Sequence, residues 1–118
     1  MMNVKGHIVD VKRREIFDGE LVIEGEKIVE VKRCKLPESK NPWPYLMPGF
    51  IDGHVHIESS MMVPHKFARI AVSHGTIGAI ADPHEIGNVL GVEGVDYMIR
   101  SGKEARFNFL LGAPSCVP

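Results

Sequence analysis

Hydrophobic and polar positions alternate through the first part of the chain and then give way to longer apolar runs. "HIVDV", "ELVIEG" and "KIVEVKR" are rich in Val and Ile and change polarity roughly every second residue, the pattern of short half-buried strands. Asp18-Gly19 reads as a turn, and Gly25, between Glu24 and Lys27, suits a four-residue hairpin connection. A small antiparallel sheet is the expected result.

The alternation stops at "KLPESKNPWPYLMPG". Pro37, Pro42, Pro44 and Pro48 each remove a ladder donor and bias the preceding residue toward extended backbone. This stretch is expected to be a connector, with the change of layer between Lys35 and Met47. Residues 1–47 therefore form one unit and residues 48–118 another.

In the second unit the period changes. "GFIDGHVHI" is strand-like. "VPHKFARIAVSHG" predicts a short helix, with Pro64 at its first position, an apolar stripe of Phe67, Ile70 and Ala71, and Gly75 as its stop. "TIGAIAD" is a strand again, and "GVEGVDYMIRSG" spaces Val92, Val95, Met98 and Ile99 on one helical face. "FNFLLGA" is a third strand. Strand and helix alternating at this spacing predict an α/β fold of βαβ units on a parallel sheet. The apolar strands predict burial on both faces. A (β/α)8 barrel takes ~250 residues, and an open doubly wound sheet also wants further strands. Three strands and two helices alone would leave an open edge and a bare apolar face. The expectation is a longer native protein, or a partner chain that completes this one.

Composition narrows the classes. The formal charge is −1 and a quarter of the residues are charged, with acids and bases interspersed. No basic stripe suggests nucleic acid or an anionic membrane as partner. No apolar run approaches the ~20 residues of a membrane-spanning helix, and the N-terminus lacks the apolar core of a signal peptide. A cytoplasmic location is expected. Cys34 and Cys116 lie far apart in unlike contexts, so two reduced thiols are expected rather than a disulfide.

The chemistry concentrates at two strand ends. Residues i and i+2 of a strand project to one face with Cα atoms ~6.6 Å apart. His54 and His56 can therefore direct two nitrogens at one metal ion. Val55 between them would point into the helical layer, and Asp52, in step with the histidines, could accept an imidazole N–H. The bland alternative is two partly exposed histidines at a strand end. The second cluster is "ADPHEIGN", which leaves the next strand beside the first. Its Asp82, His84 and Glu85 could bind a metal, position a substrate or move a proton; alternatively they are the solvated charges of a loop shaped by Pro83. "HEIGN" has Asn88 where a His-Glu-x-x-His protease needs its second histidine. "PSCVP" has one cysteine where the zinc nucleobase deaminases need Pro-Cys-x-x-Cys. Both motifs are excluded. Met61 and Met62 read as packing, His74 as a surface residue at a helix end, and Ser115 and Cys116 as lining the same mouth without an assignable base.

"PGFIDGHVHIESSM" resembles the first barrel strand of the amidohydrolase superfamily, whose hallmark is a His-x-His metal pair after Pro-Gly-Phe-Ile-Asp. "HIESSM", "HGT" and "ADPHEIGNVLG" narrow the resemblance to the adenine deaminase family within it, and "PSCVP" fits the same family. Gly53 and "TIGAI" depart from the pattern, where an Ala and a more Thr/Val-rich strand are usual; neither is a candidate ligand. The resemblance implies that residues 48–118 open a TIM-type (β/α)8 barrel with its first three strands. It implies that residues 1–47 belong to a small β-sandwich domain. It further implies hydrolysis of adenine to hypoxanthine and ammonia at a divalent metal centre, Mn2+ or Fe2+ with Zn2+ as a third option.

His54 and His56 then map onto metal ligands, with Asp82, His84 and Glu85 as substrate contacts or accessory metal ligands. The family's bridging carboxylate, further histidines and catalytic aspartate lie on later strands, so no catalytic residue is identifiable in this segment, and the chain alone is expected to be inactive. The implied partners are adenine and the rest of the barrel, or a chain supplying it; a homo-oligomer is compatible with both. Two other readings stay open: another amidohydrolase acting on a cyclic amide or amino-heterocycle, and a non-catalytic half of a split protein.

Overall fold

The computed structural model describes residues 1–113. They divide between two units, Met1–Pro48 and Gly49–Pro118. In the first unit, β1 (Met2–Asp10) pairs antiparallel along its whole length with β2 (Glu15–Glu24), and β3 (Lys27–Arg33) extends the sheet from β2. Ile8 and Val22 are the buried apolar residues of this sheet.

The β1–β2 turn is not where the sequence suggests. Asp18 and Gly19 lie inside β2, paired with His7 and Gly6, and the chain reverses over residues 11–14. Asp10 makes that reversal: its Oδ1 accepts the backbone N–H groups of Lys12 and Arg13, each at 3.0 Å. Gly19 is needed for space, because a Cβ there would press on the Ile8 side chain and the Lys32 carbonyl. The second hairpin follows expectation, with Gly25 at φ +60° between paired Glu24 and Lys27. The Pro-rich connector contains one strand the sequence pattern hides. β4 (Tyr45–Leu46) pairs parallel with β1, giving the order β3-β2-β1-β4. Its two residues are too few to show a period.

The second unit begins with β5 (Phe50–Val55), followed by a single 3₁₀ turn, Glu58–Ser60, and α1 (Pro64–Ser73). Then come β6 (Thr76–Ala81), α2 (His84–Lys103) and β7 (Asn108–Leu111). The three strands are parallel and lie in chain order, β5-β6-β7. This is an α/β fold, the start of a β/α barrel. Ile57, Ala81 and Met98 form the core, with Val55, Phe67, Ile86, Phe109 and Leu111 packed on it. Phe67, Phe107 and Phe109 stack with ring centroids 4.6–6.4 Å apart.

α1 and α2 cover the face carrying Ala79, Ala81 and Phe109 and leave the other bare, with Ile51 and Leu110 67% and 62% exposed, as expected of three strands and two helices alone. Two expectations need correction here. Ile70 and Val92 are exposed rather than part of a buried stripe; on α1 Ala68 takes the contact position, while on α2 Met98 of the expected face is buried. Finally, "ADPHEIGN" is not a loop. Its last five residues open α2, and the helical pattern in the sequence is interrupted at Gly91, which adopts φ +61°, ψ −146° and kinks the helix there. That backbone region is essentially restricted to glycine, so the periodicity seen after Gly91 belongs to the second half of a longer element.

Candidate metal centre

The C-terminal ends of β5 and β6 bring the two sequence clusters together. His54 is the penultimate residue of β5 and His56 lies just past its end. Val55 turns the other way and packs on the core, as the strand period requires. The two imidazoles meet edge to face, with ring centroids 4.7 Å apart and Nε2 atoms at 2.9 Å. Two nitrogens each ~2.0–2.1 Å from one ion and subtending about a right angle would be separated by about this distance. Among the described residues, Asp52 makes no hydrogen bond to an imidazole. Its Oδ1 accepts the backbone N–H of His54 at 3.0 Å, which braces the strand end instead.

From the end of β6, Asp82 and Pro83 lead into the first turn of α2, which presents His84 and Glu85. His84 packs edge to face on His56, centroids 4.7 Å apart. One ligand atom from each of His56, His84 and Glu85 lies within 4.8 Å of the others. His84 Nδ1 is 3.4 Å from Asp82 Oδ2 and makes no hydrogen bond among the described residues.

Two residues of this site were not singled out by sequence reasoning. Ser59 Oγ donates to the Glu85 carboxylate, and Glu58 Oε1 accepts the backbone N–H of Ile86 at 3.4 Å. Their only signal was the polar "ESS" directly after His-Val-His-Ile. Ser115 and Cys116 lie outside the described residues. His65 bonds Ser101 Oγ at 3.2 Å where α1 meets α2, and His7 bonds Asp18 at 2.8 Å in the first unit. Neither joins the cluster. Met61 is not packed; it is 95% exposed, at φ +57°.

The donor set suits a divalent cation. His56 Nδ1, Glu58 Oε2, Asp82 Oδ1 and His84 Nδ1 are buried without a hydrogen-bond partner among the described residues. Buried polar atoms ordinarily find partners, because leaving them dry is costly. Mixed imidazole and carboxylate donors suit first-row divalent metals.

Residues 45–118 match the model of the amidohydrolase family. The chain belongs to the amidohydrolase family. Among curated amidohydrolase relatives, it is 48% identical over 116 residues to an adenine deaminase of Salinibacter ruber, covering 98% of this chain and 21% of the relative. It is 46% identical over 117 residues to an adenine deaminase of Sulfurovum sp., covering 99% of this chain and 21% of the relative. It is also 45% identical over 118 residues to an adenine deaminase of Methanosarcina barkeri, covering all of this chain and 21% of the relative. The chain is thus a homologue of adenine deaminases and spans about a fifth of the length of the curated relatives it matches. Among the described residues, no helix is long and apolar enough to cross a membrane.

Proposed function

We propose that this chain supplies the two-histidine strand of a metal-dependent hydrolase that converts adenine and water to hypoxanthine and ammonia. The observation that most supports it is the convergence of His54 Nε2 and His56 Nε2 at 2.9 Å. The identity to adenine deaminases over nearly the whole chain supports the substrate. In the same reading, residues 1–47 are the N-terminal share of a small β-sandwich domain with its connector. Residues 48–118 are the opening β/α units of a barrel completed by the remaining strands, in a cytoplasmic protein.

His54 and His56 would hold a divalent cation, Mn2+ or Fe2+ with Zn2+ as the third option. Such an ion supplies Lewis acidity that makes water a competent nucleophile near neutral pH. Asp52 fixes the backbone at His54, and the buried Ile57 fixes it beyond His56, so both imidazoles are oriented before any ligand arrives. Asp82 stands beside the His84 ring. His84 and Glu85 take either the polar edge of the purine or an accessory cation. Proton delivery to the departing ammonia is assigned to residues of later strands.

The test is ammonia release from adenine by the full-length protein loaded with Mn2+, compared with its His54→Ala and His56→Ala variants. Both variants are expected to fall to background; full turnover by the double variant refutes the assignment. Turnover of a cyclic amide with no ammonia from adenine would move the substrate to another member of the family. Copurification of a second chain carrying the later strands would point to a split enzyme.

A further inference from the structure

We propose that the Glu58–Ser60 turn is a positioning element for the cation site. Ser59 holds the Glu85 carboxylate and Glu58 holds the amino end of α2, so that His84 and Glu85 stay facing His56. The inference rests on the reading above, that this cluster takes a cation.

The first turn of a helix leaves backbone N–H groups without internal partners. α2 has Pro83 at its cap position, with no side-chain cap bond of its own. The cap comes from elsewhere in the fold: Glu58, 28 positions earlier, accepts the Ile86 N–H. A carboxylate at that end also matches the helix dipole. Beside it, Ser59 Oγ donates to one oxygen of Glu85 and restricts a side chain that otherwise has three free torsions. Glu85 keeps its second oxygen for another partner.

The turn is itself well held. Ile57, immediately before it, is 0% exposed in the core. The Ser60 N–H and Oγ both reach the Ile57 carbonyl, at 3.1 and 2.5 Å. The Met61 N–H closes the turn onto the Glu58 carbonyl at 2.8 Å, with Met61 in the left-handed region. Three consecutive residues after the His-x-His pair are therefore set by the core and in turn set the partner cluster on α2. Outer partners of this kind orient ligands, and their loss typically weakens metal affinity 10- to 100-fold.

The experiment titrates metal-stripped full-length protein with Co2+, followed by its visible absorption. Ser59→Ala is expected to weaken Co2+ binding roughly 10- to 100-fold and to alter the spectrum. Ser59→Thr, which keeps the hydroxyl, should retain wild-type affinity. Glu85→Gln should weaken binding as well, and adding Ser59→Ala to Glu85→Gln should cost nothing more, because Ser59 acts through Glu85. Wild-type affinity and spectrum in Ser59→Ala would overturn the proposal; so would a full Ser59→Ala effect in the Glu85→Gln background. His56→Ala separates the two levels. If it binds Co2+ as the wild type does, the cation reading itself fails. If it loses Co2+ while Ser59→Ala does not, only the positioning role falls.

Discussion

Ile57 joins the packing of the second unit to its chemistry, and replacing it gives a quantitative test of that link. The side chain is fully buried against Ala81 and Met98, between His56 and the Glu58–Ser60 turn. Ile57→Ala removes three buried carbons, which at about 0.8 kcal/mol each is a transfer loss of about 2 to 3 kcal/mol. The cavity left behind adds to this, since a β-strand end and two helices cannot close around it freely, and the expected total is about 3 to 4 kcal/mol. Ile57→Val removes a single carbon and should cost about 1 kcal/mol. Urea denaturation of the full-length protein measures both, with the slope checked for constancy. The positional effect is separate. Ile57→Ala should also weaken Co2+ binding, because His56 and Glu58 flank the cavity, whereas Ile57→Val should leave binding near wild type. An Ile57→Ala variant within about 1 kcal/mol of wild type would refute the packing account.

Other perturbations follow from the same geometry. Gly91→Ala meets no neighbouring atoms but must hold a glycine-only backbone conformation, so a loss of about 1 to 3 kcal/mol in denaturant unfolding is expected; a neutral result would mean that α2 straightens at no cost. Gly19→Val should disrupt the first sheet through the Ile8 side chain and the Lys32 carbonyl, seen as a lowered melting temperature, while Gly25→Asn in the exposed hairpin turn should be tolerated. Arg100→Ala breaks an exposed helical ion pair with Asp96 at 2.8 Å and should change stability by no more than about 0.5 kcal/mol. Dialysis against a chelator should remove activity from the full-length protein, and divalent metal should restore it; unchanged activity in metal-free protein would contradict the proposed role of His54 and His56.

Most of the second unit was legible in the sequence because its elements are long enough to show a period. Pro64 and Gly75 bracket α1 as expected, and the three strands lie where their apolar runs are. The His-x-His spacing on a strand was enough to predict that both imidazoles share a face, since a period of two is a local property of extended backbone. The misreadings came where local chemistry has two uses. Asp18-Gly19 has the residue types of a turn, yet there Gly19 makes room for a neighbouring strand and Asp18 bonds His7. "ADPHEIGN" has the polarity of a loop, yet it opens a helix whose cap is a carboxylate 28 positions away.

By itself, then, the sequence determined the alternation of strand and helix, the pair of histidines that share one strand face and the family signature around it. Those follow from spacing and residue type within a few positions. Only the tertiary structure decided that Ser59 and Glu58 reach Glu85 and Ile86, and that His84 packs on His56. Such contacts join residues 26 to 28 positions apart. They depend on how β5 and β6 register side by side, and no local period records that register.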